Sequence, residues 1–117
     1  EKSHGILTGK PKCDFYNVDG GKVFITPENG ENFFDHKKRV EAFLNEILIR
    51  DKNKENVFIV SHGGTIQVML SILFEIDPVI AYDKKKTPKK NTCVYIIEIT
   101  ENQRKILVTN CTKHLEE

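Results

Sequence analysis

The sequence predicts an α/β fold in one domain spanning residues 1–117, and three stretches carry that prediction. The β-branched run Val57 to Val60 stops at Ser61-His62-Gly63-Gly64 and passes at once into an apolar run from about Thr65 to Phe74. That is the pattern of a buried strand, a tight turn and a helix buried on more than one side. Between Phe33 and Arg50 the apolar residues Phe33, Val40, Phe43, Leu44, Ile47 and Leu48 recur at three and four, opposite Lys37, Lys38, Glu41 and Asn45. This spacing predicts an amphipathic helix lying on a sheet. Near the end, Cys93 to Ile99 and Lys105 to Cys111 flank Glu101-Asn102-Gln103 and read as an antiparallel hairpin.

The remaining elements follow in chain order. Residues 1–31 hold Gly5, Gly9, Gly20, Gly21 and Gly30 with Pro11 and Pro27, and read as loop with room for a short strand at Val23 to Ile25. Asn32 is placed to cap the first helix with Asp35 three residues on, and Lys52 and Asn53 suit its end. Asp77-Pro78 closes the second helix, and Asp83 to Lys90 form a basic loop. No internal repeat or low-complexity tract interrupts this order.

Composition excludes several classes. The 117 residues are 38% hydrophobic and 30% charged, enough for a packed core and far from a disordered profile. Eighteen Lys and Arg balance seventeen Asp and Glu, leaving a formal charge of +1, so nothing in the bulk charge calls for nucleic acid or an anionic membrane. No apolar stretch reaches the roughly 20 residues of a membrane helix, and no charged leader precedes a short apolar segment. Cys13, Cys93 and Cys111 are odd in number and widely spaced, as expected for reduced thiols in a cytoplasmic protein. The spacings of His4, His36, His62 and His114 offer no metal site.

The chemistry centres on His62. A histidine at the carboxyl end of a strand stands where ligands bind in open α/β sheets, and the free N–H groups at the start of the next helix favour an anion. The expected ligand is therefore a phosphate. Ser61 is not a hydrolase nucleophile elbow, because Ile59 occupies the place where that motif needs glycine.

Val60-Ser61-His62-Gly63-Gly64-Thr65-Ile66 resembles the second histidine motif of the histidine phosphatase superfamily, the group of the phosphoglycerate mutases and fructose-2,6-bisphosphatase. Other pieces are similar in the same order. Glu1-Lys-Ser-His-Gly5-Ile-Leu-Thr-Gly9-Lys10 resembles the family segment in which a glutamate precedes two spaced glycines. Gly30-Glu31-Asn32, followed by Arg39, resembles its Gly-Glu-Ser/Thr turn and helix, and Asn91-Thr92-Cys93 with Asn110 to Leu115 its closing strands. The resemblance implies a three-layer α/β/α domain with a mostly parallel open sheet and an antiparallel strand towards one edge. It departs in two respects, and one is that the family's further helix arginine, which precedes the segment matched by Glu1, is absent from these residues. The family's Arg-His-Gly nucleophile motif is not found in these 117 residues, since Ser3 precedes His4-Gly5 where the arginine should stand. The expectation is thus the C-terminal portion of such a domain, incomplete at its N-terminal side.

By resemblance the implied activity is phosphomonoester hydrolysis through a phosphohistidine, with no cofactor and no metal. His62 would hydrogen-bond the phosphoryl oxygens beside the backbone N–H of Gly63, with Ser61, Asn91 and Thr92 bordering the substrate. Glu1 would protonate the leaving oxygen and later activate water, a role that needs a carboxyl tuned towards the working pH. A chain-terminal amine on Glu1 would favour the ionised form and oppose that role, a further reason to expect residues upstream. The partner is a small phosphorylated molecule. A mutase, or a non-catalytic relative that only binds an anion or partner, is the alternative. His4, His36 and His114 read as surface or capping residues, Arg39 as packing or pairing with a carboxylate, and the Lys84 to Lys90 cluster as solvated. An unpaired Val57 to Val60 edge predicts association, with a homodimer as the simplest outcome.

Overall fold

A computed structural model describes residues 1–11, 26–77, 80–81 and 90–116. Cys13, the expected strand Val23 to Ile25 and most of the basic loop lie outside them.

The first helix, α1, runs Phe33–Arg50. It starts where Asn32 and Asp35 close a reciprocal capping box: the Asp35 N–H donates to Asn32 Oδ1 at 2.9 Å, and the Asn32 N–H donates to Asp35 Oδ2 at 3.2 Å. Its buried face is Phe33, His36, Val40, Leu44 and Ile47, spaced three, four, four and three. Phe43, counted with this face in the sequence, is instead exposed on its flank. The helix ends at Asp51, one residue before the predicted end signals, and the Asp51 N–H still bonds to the Ile47 carbonyl.

The second helix, α2, spans Gly63–Leu73, two residues earlier than the apolar pattern predicts. His62 is extended and forms the N-cap, so both glycines lie inside the first turn. Its C-terminus also differs from expectation. Glu75 adopts positive φ and the Ile76 N–H returns to the Ser71 carbonyl at 3.0 Å, a bond that ends the helix before Asp77-Pro78 is reached.

α1 packs on α2. Phe33, Val40 and Leu44 from one meet Val68, Met69 and Leu73 from the other, with Ile72, Phe74 and Ile97 closing the periphery. Burial of these side chains supplies the main cohesion of the described residues, at about 1.5–3 kcal/mol for each large one fully covered.

β1 (Val94–Ile99) and β2 (Arg104–Cys111) form the predicted antiparallel hairpin. Thr100 and Gln103 turn the chain, with the Thr100 N–H donating to the Gln103 carbonyl at 2.9 Å. Glu98 faces Lys105 across the ladder, a favourable cross-strand charge pair. Arg104 reaches from the hairpin to the end of α2, where its Nη1 donates to the Leu73 carbonyl at 3.2 Å. A cation there satisfies a helix carbonyl left without an intrahelical partner.

The described architecture is thus α/β, with two helices and a two-stranded antiparallel sheet. Val57 to Val60 corrects one expectation. The segment is extended, yet Phe58 and Val60 are 94% and 99% exposed, and among the described residues no strand pairs with it. A strand is buried only when neighbours cover it, and its own sequence cannot supply them.

Candidate functional site

Three segments converge on the site: residues 1–10, the turn at 26–31, and the junction of Ser61 with α2. Gly5 and Gly30 make the first two meet. Gly5 has φ +51°, and a Cβ on it would collide with the Glu28 carbonyl; a Cβ on Gly30 would stand 2.9 Å from the Gly5 nitrogen. Only glycine allows backbones to approach so closely. The contact is sealed by the Ile6 N–H donating to the Glu28 carbonyl at 3.0 Å and the Glu31 N–H to the Ser3 carbonyl at 2.9 Å.

Arg39 then locks Glu1 and Glu31 together. Its Nε donates to Glu31 Oε1 at 2.9 Å and its Nη2 to Glu31 Oε2 at 3.0 Å, a two-pronged pair, while Nη2 also donates to the Glu1 carbonyl at 2.9 Å. The Ser3 N–H adds a bond to Glu31 Oε2 at 2.9 Å. The Arg39 hydrogen bond, with that of Ser3, holds the Glu31 carboxyl down at about 2 despite the opposing effect of burial. Arg39 thereby takes the carboxylate pairing that the sequence suggested.

This clamp presents Glu1 to His62. Glu1 Oε2 lies 3.6 Å from His62 Nδ1, with both side chains largely exposed. His62 caps α2 with its backbone only, and the first helical bond, from the Ile66 N–H to the His62 carbonyl, is 2.9 Å. The His62 side chain makes no capping bond, and among the described residues no side chain caps the N–H groups of Gly63 and Gly64, which leaves them for an outside acceptor. The two predicted catalytic residues are therefore neighbours, with Gly63 beside them and Ser61 half-buried just before.

Asn91 and Thr92 are not drawn into this contact. Both are exposed at the turn before β1, where Thr92 has positive φ and its hydroxyl donates to the Asn91 carbonyl at 2.7 Å.

His36 is the residue that sequence reasoning misplaced. Expected at the surface, it is fully buried in α1, with Nε2 3.2 Å from Thr65 Oγ1 in the first turn of α2. Its Nδ1 finds no hydrogen-bond partner among the described residues. The signal was available, because 36 falls three after Phe33 and four before Val40, in the buried stripe. Burial lowers its pKa from the usual 6.5 to about 4, assisted by Arg39 and opposed by Glu31.

That displacement predicts a pH dependence of stability. The unfolded chain protonates His36 near 6.5 and the folded chain only near 4, so its stabilising effect is complete above 6.5 and is lost as pH falls towards 4. Between pH 7.5 and 4.5 the loss is expected to be about 2–3 kcal/mol, at 1.36 kcal/mol per unit. Glu31 has the same sign in a lower window, from its usual 4.5 down to about 2. Urea unfolding followed by circular dichroism checks this: His36→Gln should remove the upper step, and a flat wild-type profile would contradict it.

The family model of the histidine phosphatase superfamily, branch 1, matches residues 14–112. The chain belongs to this superfamily. The matched span takes in Glu31, Arg39, Ser61, His62, Gly63, Asn91 and Thr92, whereas Glu1 lies before it. No curated protein matches the sequence. The histidine phosphatase superfamily match includes the exposed His62 and the start of α2 that it caps. No group of metal-ligating side chains is found among the described residues, and no described helix is long and apolar enough to cross a membrane.

Proposed function

We propose that this chain contributes one side of a phosphomonoester hydrolase site that works through a phosphohistidine, with His62 as the second pocket histidine and Glu1 as the acid and base. The observation that carries this reading is the 3.6 Å approach of Glu1 Oε2 to His62 Nδ1 in front of the uncovered start of α2. Phosphoryl transfer asks mainly for positioning, donors around the equatorial oxygens and a proton for the leaving oxygen. His62 and the N–H of Gly63 supply the donors. Glu1 supplies the proton and then draws one from the attacking water. The attacking histidine is not assigned to any residue of this chain, and the proposal places it outside these 117 residues. Ser61 borders the phosphate, and Asn91 and Thr92 border the substrate only if the turn before β1 closes towards α2.

Turnover of a panel of phosphomonoesters by the full-length protein tests the proposal. Hydrolysis that traps an acid-labile phosphohistidine supports it. Transfer of the phosphoryl group to a second hydroxyl would identify a mutase, and no turnover with retained phosphate binding would identify a non-catalytic relative.

We also propose that the exposed run Val57 to Val60 seats a second copy of the chain when these 117 residues stand alone. Four consecutive apolar residues, 41–99% exposed and paired with no strand among the described residues, favour strand addition. Sedimentation is expected to show self-association that Phe58→Lys with Val60→Lys reduces, and a stable wild-type monomer would refute it.

A further inference from the structure

Of the buried polar groups, His36 has no part in the chemistry above, yet it contacts the element that carries it. It comes from α1, is fully buried, and uses Nε2 to meet Thr65 Oγ1 across the helix packing at 3.2 Å. Thr65 is itself buried at the third position of α2, directly after the two glycines whose N–H groups are uncovered. Glycine restrains its own backbone least of all residues, so His62-Gly63-Gly64 needs an outside anchor to hold one conformation. Gly64 makes no such anchor, since a Cβ there would meet nothing within 4 Å.

We propose that His36 is a positioning residue for the phosphate end of the site: through Thr65 it fixes the first turn of α2 and so the direction of the Gly63 and Gly64 N–H groups. This rests on the phosphatase reading for its functional meaning but not for its structural content. With Nδ1 buried and unpartnered, Nε2 carries the ring's hydrogen bond, shared with Thr65 Oγ1 whichever of the two donates. The arrangement costs an unsatisfied ring nitrogen at Nδ1, which an apolar residue in the same stripe would avoid.

The experiment compares His36→Phe, His36→Gln, Thr65→Val and the double variant His36→Phe with Thr65→Val in the 117-residue chain. Amide NMR of Gly63 and Gly64 is read without ligand, and inorganic phosphate is then titrated. His36→Phe and Thr65→Val are expected to move both glycine amides and weaken phosphate binding about tenfold, as for one buried hydrogen bond. The double variant should be no worse than either single one, and His36→Gln, which keeps a donor at the same reach, should restore wild-type shifts and binding to within about threefold. Glycine amides unmoved in folded His36→Phe and Thr65→Val would overturn the proposal, whatever phosphate does. Amides that move while the full-length protein binds no phosphate would uphold the positioning and sink the phosphatase reading instead.

Discussion

Replacing His62 with alanine is expected to lower phosphomonoester hydrolysis by the full-length protein at least about a hundredfold, the effect of removing one preorganised donor to a developing phosphoryl charge. The side chain is exposed at the head of α2 and bears no core contact, so stability should hardly change. The loss should fall on kcat rather than on the fold, because the imidazole bonds more strongly to the oxygens of the transition state than to those of the substrate. Glu1→Gln should lower turnover of esters with poor leaving groups more than of activated ones, since only the former need its proton. A His62→Ala variant that keeps a third or more of the activity would remove His62 from the chemistry.

The second large effect belongs to Gly5. Gly5→Ala is expected to detach residues 1–10 from the turn at 26–31, because the new methyl meets the Glu28 carbonyl and the backbone of Asn29 and Gly30 at a positive φ that alanine also disfavours. Backbone on both sides cannot yield as a flexible side chain would, so the local cost should exceed about 3 kcal/mol. The helical core lies elsewhere, in Phe33, Val40, Leu44, Val68, Met69 and Leu73, and should survive. The variant would then keep its helical circular dichroism while losing protection of the Ile6 and Glu31 amides from hydrogen exchange. Activity should drop with it, as Glu1 loses its place beside His62. Wild-type protection of those amides in Gly5→Ala would show that the turn tolerates a side chain.

The helices and the hairpin were legible because each announces itself locally. Apolar spacing marks α1, Asn32 and Asp35 mark its start, and Glu101-Asn102-Gln103 mark the turn between β1 and β2. What depended on distant partners was less legible. His36 reads as polar until the packing of α2 covers it, and Val57 to Val60 reads as buried although nothing described covers it. The start of α2 shifted for a related reason: glycines look like turn, but an extended His62 lets the helix begin with them. The site divides along the same line. The proposed chemistry rests on His62 with its glycines and, by resemblance, on Glu1. The Arg39–Glu31 clamp that brings them together spans segments far apart in sequence, and its contact with the Glu1 carbonyl follows only from the folded backbone.

The central claim, that His62 and the opening turn of α2 receive a phosphoryl group, is tested most directly by titrating inorganic phosphate into the 117-residue chain under NMR. Saturable shifts concentrated on the His62 ring and the Gly63 and Gly64 amides are predicted. Shifts confined to lysine-rich surface, with those three residues unmoved, would contradict it.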